Sequence, residues 1–357
     1  MRLTDLDTPA LLLDLDAFNR NLRAMMDFLG DGPCGLRPHF KAHRTPEISR
    51  RQLAAGAHGF TCAKLAEAER LADEGLDHLL IANQVVGEQK WRRLARLAER
   101  VEVICAVDHP VQLAGIARAA AAVGSRPGVL IEVDVGMSRC GVPPGLPALE
   151  LARRISETPQ VAFRGVMGYE GHLVLSDPTS KPAAVRAALR QLTDTADLLR
   201  DEGLPVEIVS SGGTGSYVTA ARCPGITELQ CGTYAVMDLM FSERAEIGLD
   251  YAMTVLTTVI SRPAPARAIT DAGMKALHPY GGASKPLDRP GVEVAGLSAE
   301  HGSLRLSPEA QDLQIGDKLR LVPYYTDGTV NLHDYWEVVQ GEEAVDRWPI
   351  SGRNCSR

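Results

Sequence analysis

No stretch of this 357-residue chain approaches the roughly 20 consecutive apolar residues that a membrane-crossing helix needs. The N-terminal "PALLLDLDAF" is apolar, but Asp14 and Asp16 interrupt it, and no basic segment with a long apolar core precedes a cleavage site. No signal peptide is therefore expected. Basic runs and blocks of like charge are also missing. The net charge of −7 is spread along the chain, which leaves no nucleic-acid footprint and no charged tail. No CxxC pair occurs among the seven cysteines. An odd number of free thiols fits a reducing, cytoplasmic compartment. Aromatics are sparse at 5%, and there is no low-complexity segment or long linker. What remains is an ordinary globular composition, 45% hydrophobic, in a length that suits one large domain and a smaller one.

From residue 36 a strand-like run followed by an amphipathic helix recurs. The strand candidates are LRPHFKAH, HGFTCAK, HLLIANQVV, VEVICAVDH, GVLIEVDVGM, VAFRGVMGYEG, VEIVSSGG and ITELQCGTY. Between them lie helical stretches such as "LAEAERLADEG", "QKWRRLARLAER" and "AAVRAALRQLTDTADLLRDEG", often closed by glycine (Gly56, Gly75, Gly124, Gly203) as C-terminal caps should be. Eight such units predict an α/β fold with a closed (β/α)8 TIM-like barrel, in preference to an open doubly wound sheet. After about residue 246 the helical period gives way to β-type runs, "MTVLTTVIS", "ARAITDAG", "GVEVAGLSAEHGSLRL", "KLRLVPYY", "YWEVVQG" and "EAVDRW". "TPALLLDLD" is one more strand with no place in the barrel. It is expected to join the C-terminal β-domain, which is then discontinuous: 1–18 and 246–357, around a barrel of 19–245.

Active sites in such barrels form at the C-terminal strand ends, and the unusual residues fall there. Lys41 ends the first strand, Cys62 and Lys64 the second, Asn83 and Gln84 the third, and Asp134 and Arg139 the fifth. Tyr169, Glu170 and His172 end the sixth; "SSGGTGSY" follows the seventh and Gly232 to Tyr234 the eighth. By itself a glycine-rich turn is more often just a turn. "SGGTG" beside "CGTY" on the neighbouring strand, with a helix starting near Ser216, suits an anion nest where barrels of this kind hold phosphate. Lys41, on the first strand, neighbours the eighth in a closed barrel. Burial disfavours an ammonium, and a neutral amine can form a Schiff base with a carbonyl. A Schiff-base lysine beside a phosphate site suggests pyridoxal 5′-phosphate (PLP), with a class I aldolase or a sugar-phosphate enzyme also allowed by the chemistry.

The chain resembles the fold-type III PLP enzymes, the alanine-racemase group, in its D-threonine aldolase and D-serine dehydratase branch. The resemblance covers nearly the whole chain and rests on "TPALLLDLDAFNRN", "RPHFKAHRTP", "GFTCAKLAEAE", "IEVDVGMSRCGV", "MGYEGHL", "SSGGTGSY", "ELQCGTYAVMD", "DAGMKAL", "GDKLRLVPYYTDGTVNLHDYWEVVQG" and "DRWPISGR". It implies that Lys41 carries PLP covalently and that Ser211, Gly212, Gly213 and Thr214, with Gly232, Thr233 and Tyr234, hold the phosphate. It places Arg139 against the cofactor's phenolic oxygen, Tyr169 facing the ring, and His172 as the acid or base. Gln84 and Cys62 are secondary candidates, and His43 is expected to have no role, because the chain bends before it.

One departure matters. The resemblance places a divalent metal on a histidine and, two residues later, a cysteine or aspartate, just before "PTVN". Here Tyr325 stands at the histidine position and Asp327 remains, in "PYYTDGTVN". His333 and Asp334 are placed deeper, in the next strand. A neutral phenol is a poor ligand and one carboxylate rarely holds zinc. No tightly bound metal is expected, with weak Mn²⁺ or Mg²⁺ binding through Asp327 the exception. The expected activity is a D-threonine-aldolase-like lyase with Lys41, His172, Asp327 and Tyr325 as its catalytic set. The alternatives are a D-hydroxy-amino-acid dehydratase, an amino-acid racemase and a non-catalytic PLP-binding protein. The expected partner is a small-molecule amino-acid substrate, with no nucleic acid or membrane, and the resemblance implies a homodimer.

Overall fold

The computed structural model describes residues 1–245 and 248–357. Its contacts divide the chain into two compact units. One comprises Met1–Met25, Ala42–Glu47 and Thr233–Asn354, the other Met26–Lys41, Ile48–Gly232 and Cys355–Arg357. The boundary expected at 245/246 adjoins residues 246 and 247, which lie outside the described residues.

In the second unit all eight expected barrel strands form: β2 (Gly35–Leu36), β3 (Phe60–Cys62), β4 (Leu79–Gln84), β5 (Val103–Val107), β6 (Gly128–Glu132), β7 (Ala162–Met167), β8 (Ile208–Ser211) and β9 (Glu228–Leu229). They pair in parallel in the order β2-β9-β8-β7-β6-β5-β4-β3. A lone parallel bridge between His39 and Thr61 joins the two ends, with Thr61 N–H donating to the Pro38 carbonyl at 2.8 Å. The central strands β5 and β6 are buried on both faces, as strands covered by helices must be. Leu80, Ile104, Ala106, Leu130, Met167 and Ile208, contributed by successive strands, form one buried cluster. Helices Leu65–Asp73, Glu88–Leu97, Pro110–Val123, Leu146–Ser156 and Lys181–Asp201 lie between the strands. Gly124 ends its helix at φ +73, a conformation that costs glycine little.

The first strand is shorter than expected. Only Gly35–Leu36 is ladder, and Lys41 sits beyond it in the 3₁₀ turn Phe40–Ala42. Past Leu36 the N–H groups of Arg37 and His39 still reach the Leu229 and Cys231 carbonyls of the neighbouring strand, while Pro38, with no N–H to give, faces β3. The buried Arg37 closes this part of the barrel. Its Nε lies 3.0 Å from both oxygens of Glu228, which is 2% exposed, and His58 Nε2 lies 2.9 Å from the same carboxylate. Burial alone would raise the Glu228 pKa, but the His58 hydrogen bond and the Arg37 charge outweigh it and hold the carboxyl below its usual range.

In the first unit, nine strands form one sheet among the described residues. The N-terminal strand β1 (Ala10–Asp14) joins it as expected. It pairs antiparallel with β10 (Met253–Ala264) and parallel with β16 (Tyr335–Gln340). The remaining strands are β11 (Arg267–Thr270), β12 (Lys285–Pro286), β13 (Val292–Leu297), β14 (Gly302–Leu306), β15 (Lys318–Val322) and β17 (Glu343–Pro349). The two-residue β12 carries no period for the sequence to show. His333 and Asp334 occupy the turn before β16, not the strand itself. No helix among the described residues is long and apolar enough to cross a membrane.

Candidate active site

The barrel unit gathers Lys41, Gln84, Arg139, Tyr169, His172 and the loop 211–214 at the strand ends. Lys41 is half-buried in its turn. The loop after β6 that carries Arg139 is built tightly. Asp134 Oδ1 accepts the N–H groups of Gly136 and Ser138, both at 3.0 Å, and Asp108 Oδ2 accepts that of Gly141 at 2.9 Å. Gly141 has φ +110, and a Cβ there would stand 2.6 Å from the Asp134 nitrogen, so only glycine fits. The Arg139 guanidinium lies 5.8 Å from the centre of the Tyr169 ring and 3.8 Å from the buried Glu132. Gln84 Nε2 donates to the other Glu132 oxygen at 2.5 Å. Burial pushes the Glu132 pKa up, and Gln84 and Arg139 oppose that shift.

Gly212 takes φ +77, where a Cβ would press on Leu229 at 2.7 Å. A Cβ on Gly213 would stand 3.1 Å from the Tyr169 ring. The loop thus presents bare backbone beside that ring. The expected helix follows with Ser216 as N-cap, but it is a single turn, Tyr217–Ala220, so its dipole is small. Gly232 is buried after β9, and Thr233 and Tyr234 begin the 3₁₀ turn Thr233–Ala235, where the chain enters the other unit. His172 is exposed on the 3₁₀ turn Gly171–Leu173, and a Cβ on Gly136 would stand 3.1 Å from its Nε2.

Cys62 is fully buried, and burial holds its thiol protonated far above the usual range, which removes it as a nucleophile. His43 is equally buried, with Nδ1 accepting the Thr45 N–H at 3.2 Å, in keeping with a structural part. Glu132 was not singled out from the sequence, and Glu170 was noted only as a strand-end residue. A carboxylate closing an apolar strand is the signal for both.

In the β-sheet unit, Tyr325 precedes the short helix Thr326–Val330, and its hydroxyl donates to Asp327 Oδ2 at 3.5 Å. Its ring packs against His278 and Tyr280 at centroid distances of 5.7 and 5.1 Å. Burial, followed by the Asp327 charge, raises the phenol pKa, so Tyr325 stays neutral. Asp238, also unremarked in the sequence, is fully buried and accepts the N–H and hydroxyl of Thr326 at 2.9 and 2.7 Å.

A parallel barrel with a lysine past its first strand and a glycine-rich loop past its seventh suits a class: barrel enzymes that hold a phosphorylated carbonyl compound, cofactor or substrate, on a lysine. The comparisons narrow it. The family model for the alanine racemase N-terminal domain matches residues 13–239, and a serine dehydratase domain model matches 252–339. The chain is 39% identical to D-threonine aldolase of Arthrobacter sp., over 99% of this chain and 95% of that one. It is 35% identical to 3-hydroxy-D-aspartate aldolase of Paracoccus denitrificans, over 98% and 93%. The crystal structure of D-threonine aldolase from Filomicrobium marinum superposes with a TM-score of 0.97 at 38% identity, covering 100% and 98%. The chain belongs to the fold-type III PLP enzymes of the alanine-racemase and D-threonine-aldolase superfamily.

The residues fit that cofactor. The Gly213 cradle beside Tyr169 would be filled by any Cβ, and Lys41 supplies an amine. A divalent metal fits less well. A neutral phenol stands at the ligand position of the resemblance.

Proposed function

We propose that this protein cleaves a D-β-hydroxy-α-amino acid to glycine, or a related amino acid, and an aldehyde. The observation that carries the reading is the placement of Lys41 past β2 and of the Gly212–Gly213 cradle past β8, two strands along the same parallel sheet, in a chain whose relatives are D-hydroxy-amino-acid aldolases. Bound at Lys41, PLP supplies an electron sink for the pair released when the Cα–Cβ bond breaks. The chain's residues do the rest. The loop 211–214, with Gly232, Thr233 and Tyr234, binds the phosphate. Tyr169 would face the cofactor, and Arg139 would favour the ionised form of its phenolic oxygen. His172 Nε2 takes the β-hydroxyl proton, the aldehyde leaves, and Cα is reprotonated to give the amino acid. In the β-sheet unit, Asp327 and the neutral Tyr325 are the further acid–base candidates. The reaction proceeds without a tightly bound metal, in a homodimer in the cytoplasm.

Dehydration of a D-hydroxy-amino acid is the second reading, favoured by the serine dehydratase model over 252–339. Product analysis separates them. Protein purified without added ions is incubated with D-threonine, D-serine and D-3-hydroxyaspartate, with and without EDTA. Glycine plus aldehyde, insensitive to EDTA, is expected. Keto acid plus ammonia would establish the dehydratase, the L-isomer a racemase, and full loss in EDTA a required metal.

A further inference from the structure

Glu170 is fully buried just past β7, and its two oxygens go to two hydroxyls five residues apart. Ser211 Oγ donates to Oε2 at 2.8 Å, and Ser216 Oγ donates to Oε1. These serines bracket the glycine-rich loop and are only 1% and 6% exposed. Ser211 Oγ also lies 2.6 Å from the Gly168 carbonyl. Ser216 Oγ accepts the Gly213 N–H at 3.1 Å, and the Gly213 carbonyl accepts the N–H groups of Ser216 and Tyr217, both at 3.0 Å.

A hydroxyl has one proton to donate. In both serines that proton is directed to oxygens of the strand-end segment 168–170. A phosphate dianion is an acceptor too, and would compete for the same protons. A carboxylate near a phosphate also repels it, so Glu170 is a liability unless it does structural work for the loop. Its hydrogen bonds supply that work. Both ends of the loop are tied to one buried group, and such bonds to a charge are among the stronger ones.

We propose that Glu170 is the positioning residue of the phosphate loop. It clamps Ser211 and Ser216, and the two serines shape the loop through Glu170 instead of donating to the phosphate. The proposal rests on the cofactor reading above and reassigns Ser211 from ligand to anchor. It leaves the anion to the rest of the loop, where bare backbone adjoins Tyr169.

The test compares PLP with pyridoxal, which lacks the phosphate, as ligands of the full-length protein, and reads the ratio of the pyridoxal Kd to the PLP Kd. Damage to the fold weakens both ligands, whereas damage to the phosphate loop lowers the ratio. Ser216→Ala lowers it about tenfold in the native background, the size of one lost bond to a charged group. In the Glu170→Ala background the same change lowers it less than twofold, because the clamp is already gone. Should Glu170→Ala not fold, Ser211→Ala and Ser216→Ala combined lower the ratio no further than either alone. Equal losses in both backgrounds, multiplying losses in the double variant, or a native-background loss under twofold would overturn the clamp. A native protein with no preference for the phosphorylated ligand overturns the cofactor reading, and the clamp with it.

Discussion

Arg139 illustrates how the site works at the scale of a residue. Its guanidinium is half exposed, so a surface ion pair alone would hold it weakly. The Tyr169 ring and the carboxylate of Glu132 flank it, and Gln84 steadies that carboxylate from the far side. The planar fork serves all of this at once, and an ammonium cannot. Arg139→Lys is therefore expected to keep the fold and the charge yet lower kcat/KM about tenfold, the loss of roughly one charge-assisted interaction. Steady-state kinetics with an unchanged melting temperature would bear this out. Unchanged kcat/KM would mean that charge alone suffices.

At the scale of elements, Asp238 ties the start of helix Leu239–Ala245 to the turn that carries Tyr325 and Asp327. It accepts the Phe241 N–H at 3.1 Å besides both Thr326 groups. Burial raises its pKa to about 7, against the pull of those hydrogen bonds. In the unfolded chain an aspartate titrates near pH 3.9. Between about pH 4 and 7 the folded state thus holds a proton that the unfolded state has released, so this group's contribution to stability is full below about pH 4 and falls as pH rises through 7. The whole effect is at most about 4 kcal/mol. Urea unfolding across this range should show the slope, and Asp238→Asn should flatten it. An unchanged slope in the variant would place the titration elsewhere.

Elements were also where the sequence spoke most clearly. The βα alternation and the glycine-closed helices announced the barrel, because burial on two faces and a 3.6-residue period both leave marks in composition. The orphan "TPALLLDLD" found its β-sheet partners for the same reason. What stayed hidden was short or three-dimensional. The first ladder ends at Leu36, and Lys41 sits in a turn that the strand-like run disguised. Lys41 and the residues flanking the loop were legible as odd residues at strand ends. Glu132 and Asp238 were not, because a single carboxylate in an apolar stretch gives no sign of which residues will face it. Glu170 was visible, but the serines that it joins lie some forty residues on.

At the scale of the molecule, the barrel depends on a polar plug as well as on its apolar layers. Arg37 and Glu228 pair in the interior, and His58, exposed at the surface, reaches the same carboxylate. Arg37→Met is expected to destabilise the protein by about 3–5 kcal/mol, because it removes the buried cationic partner of a buried carboxylate and leaves only the exposed His58 beside it. Adding Glu228→Gln should recover much of that loss. Denaturant midpoints at a constant m-value would show both effects. A single variant within 1 kcal/mol of the native protein, a small change by ordinary mutational standards, would mean that water reaches the plug.

Lys41 as the covalent anchor of the cofactor underlies every role assigned to the site. The direct measurement is the visible absorbance spectrum of the purified protein, alone and with added PLP, in the native form and as Lys41→Ala. The native protein should show a cofactor band, present as purified or gained on addition, and removed by borohydride reduction. Lys41→Ala should lack that band and all lyase activity. A native protein with no band under either condition, or a Lys41→Ala variant that keeps it, would contradict the account.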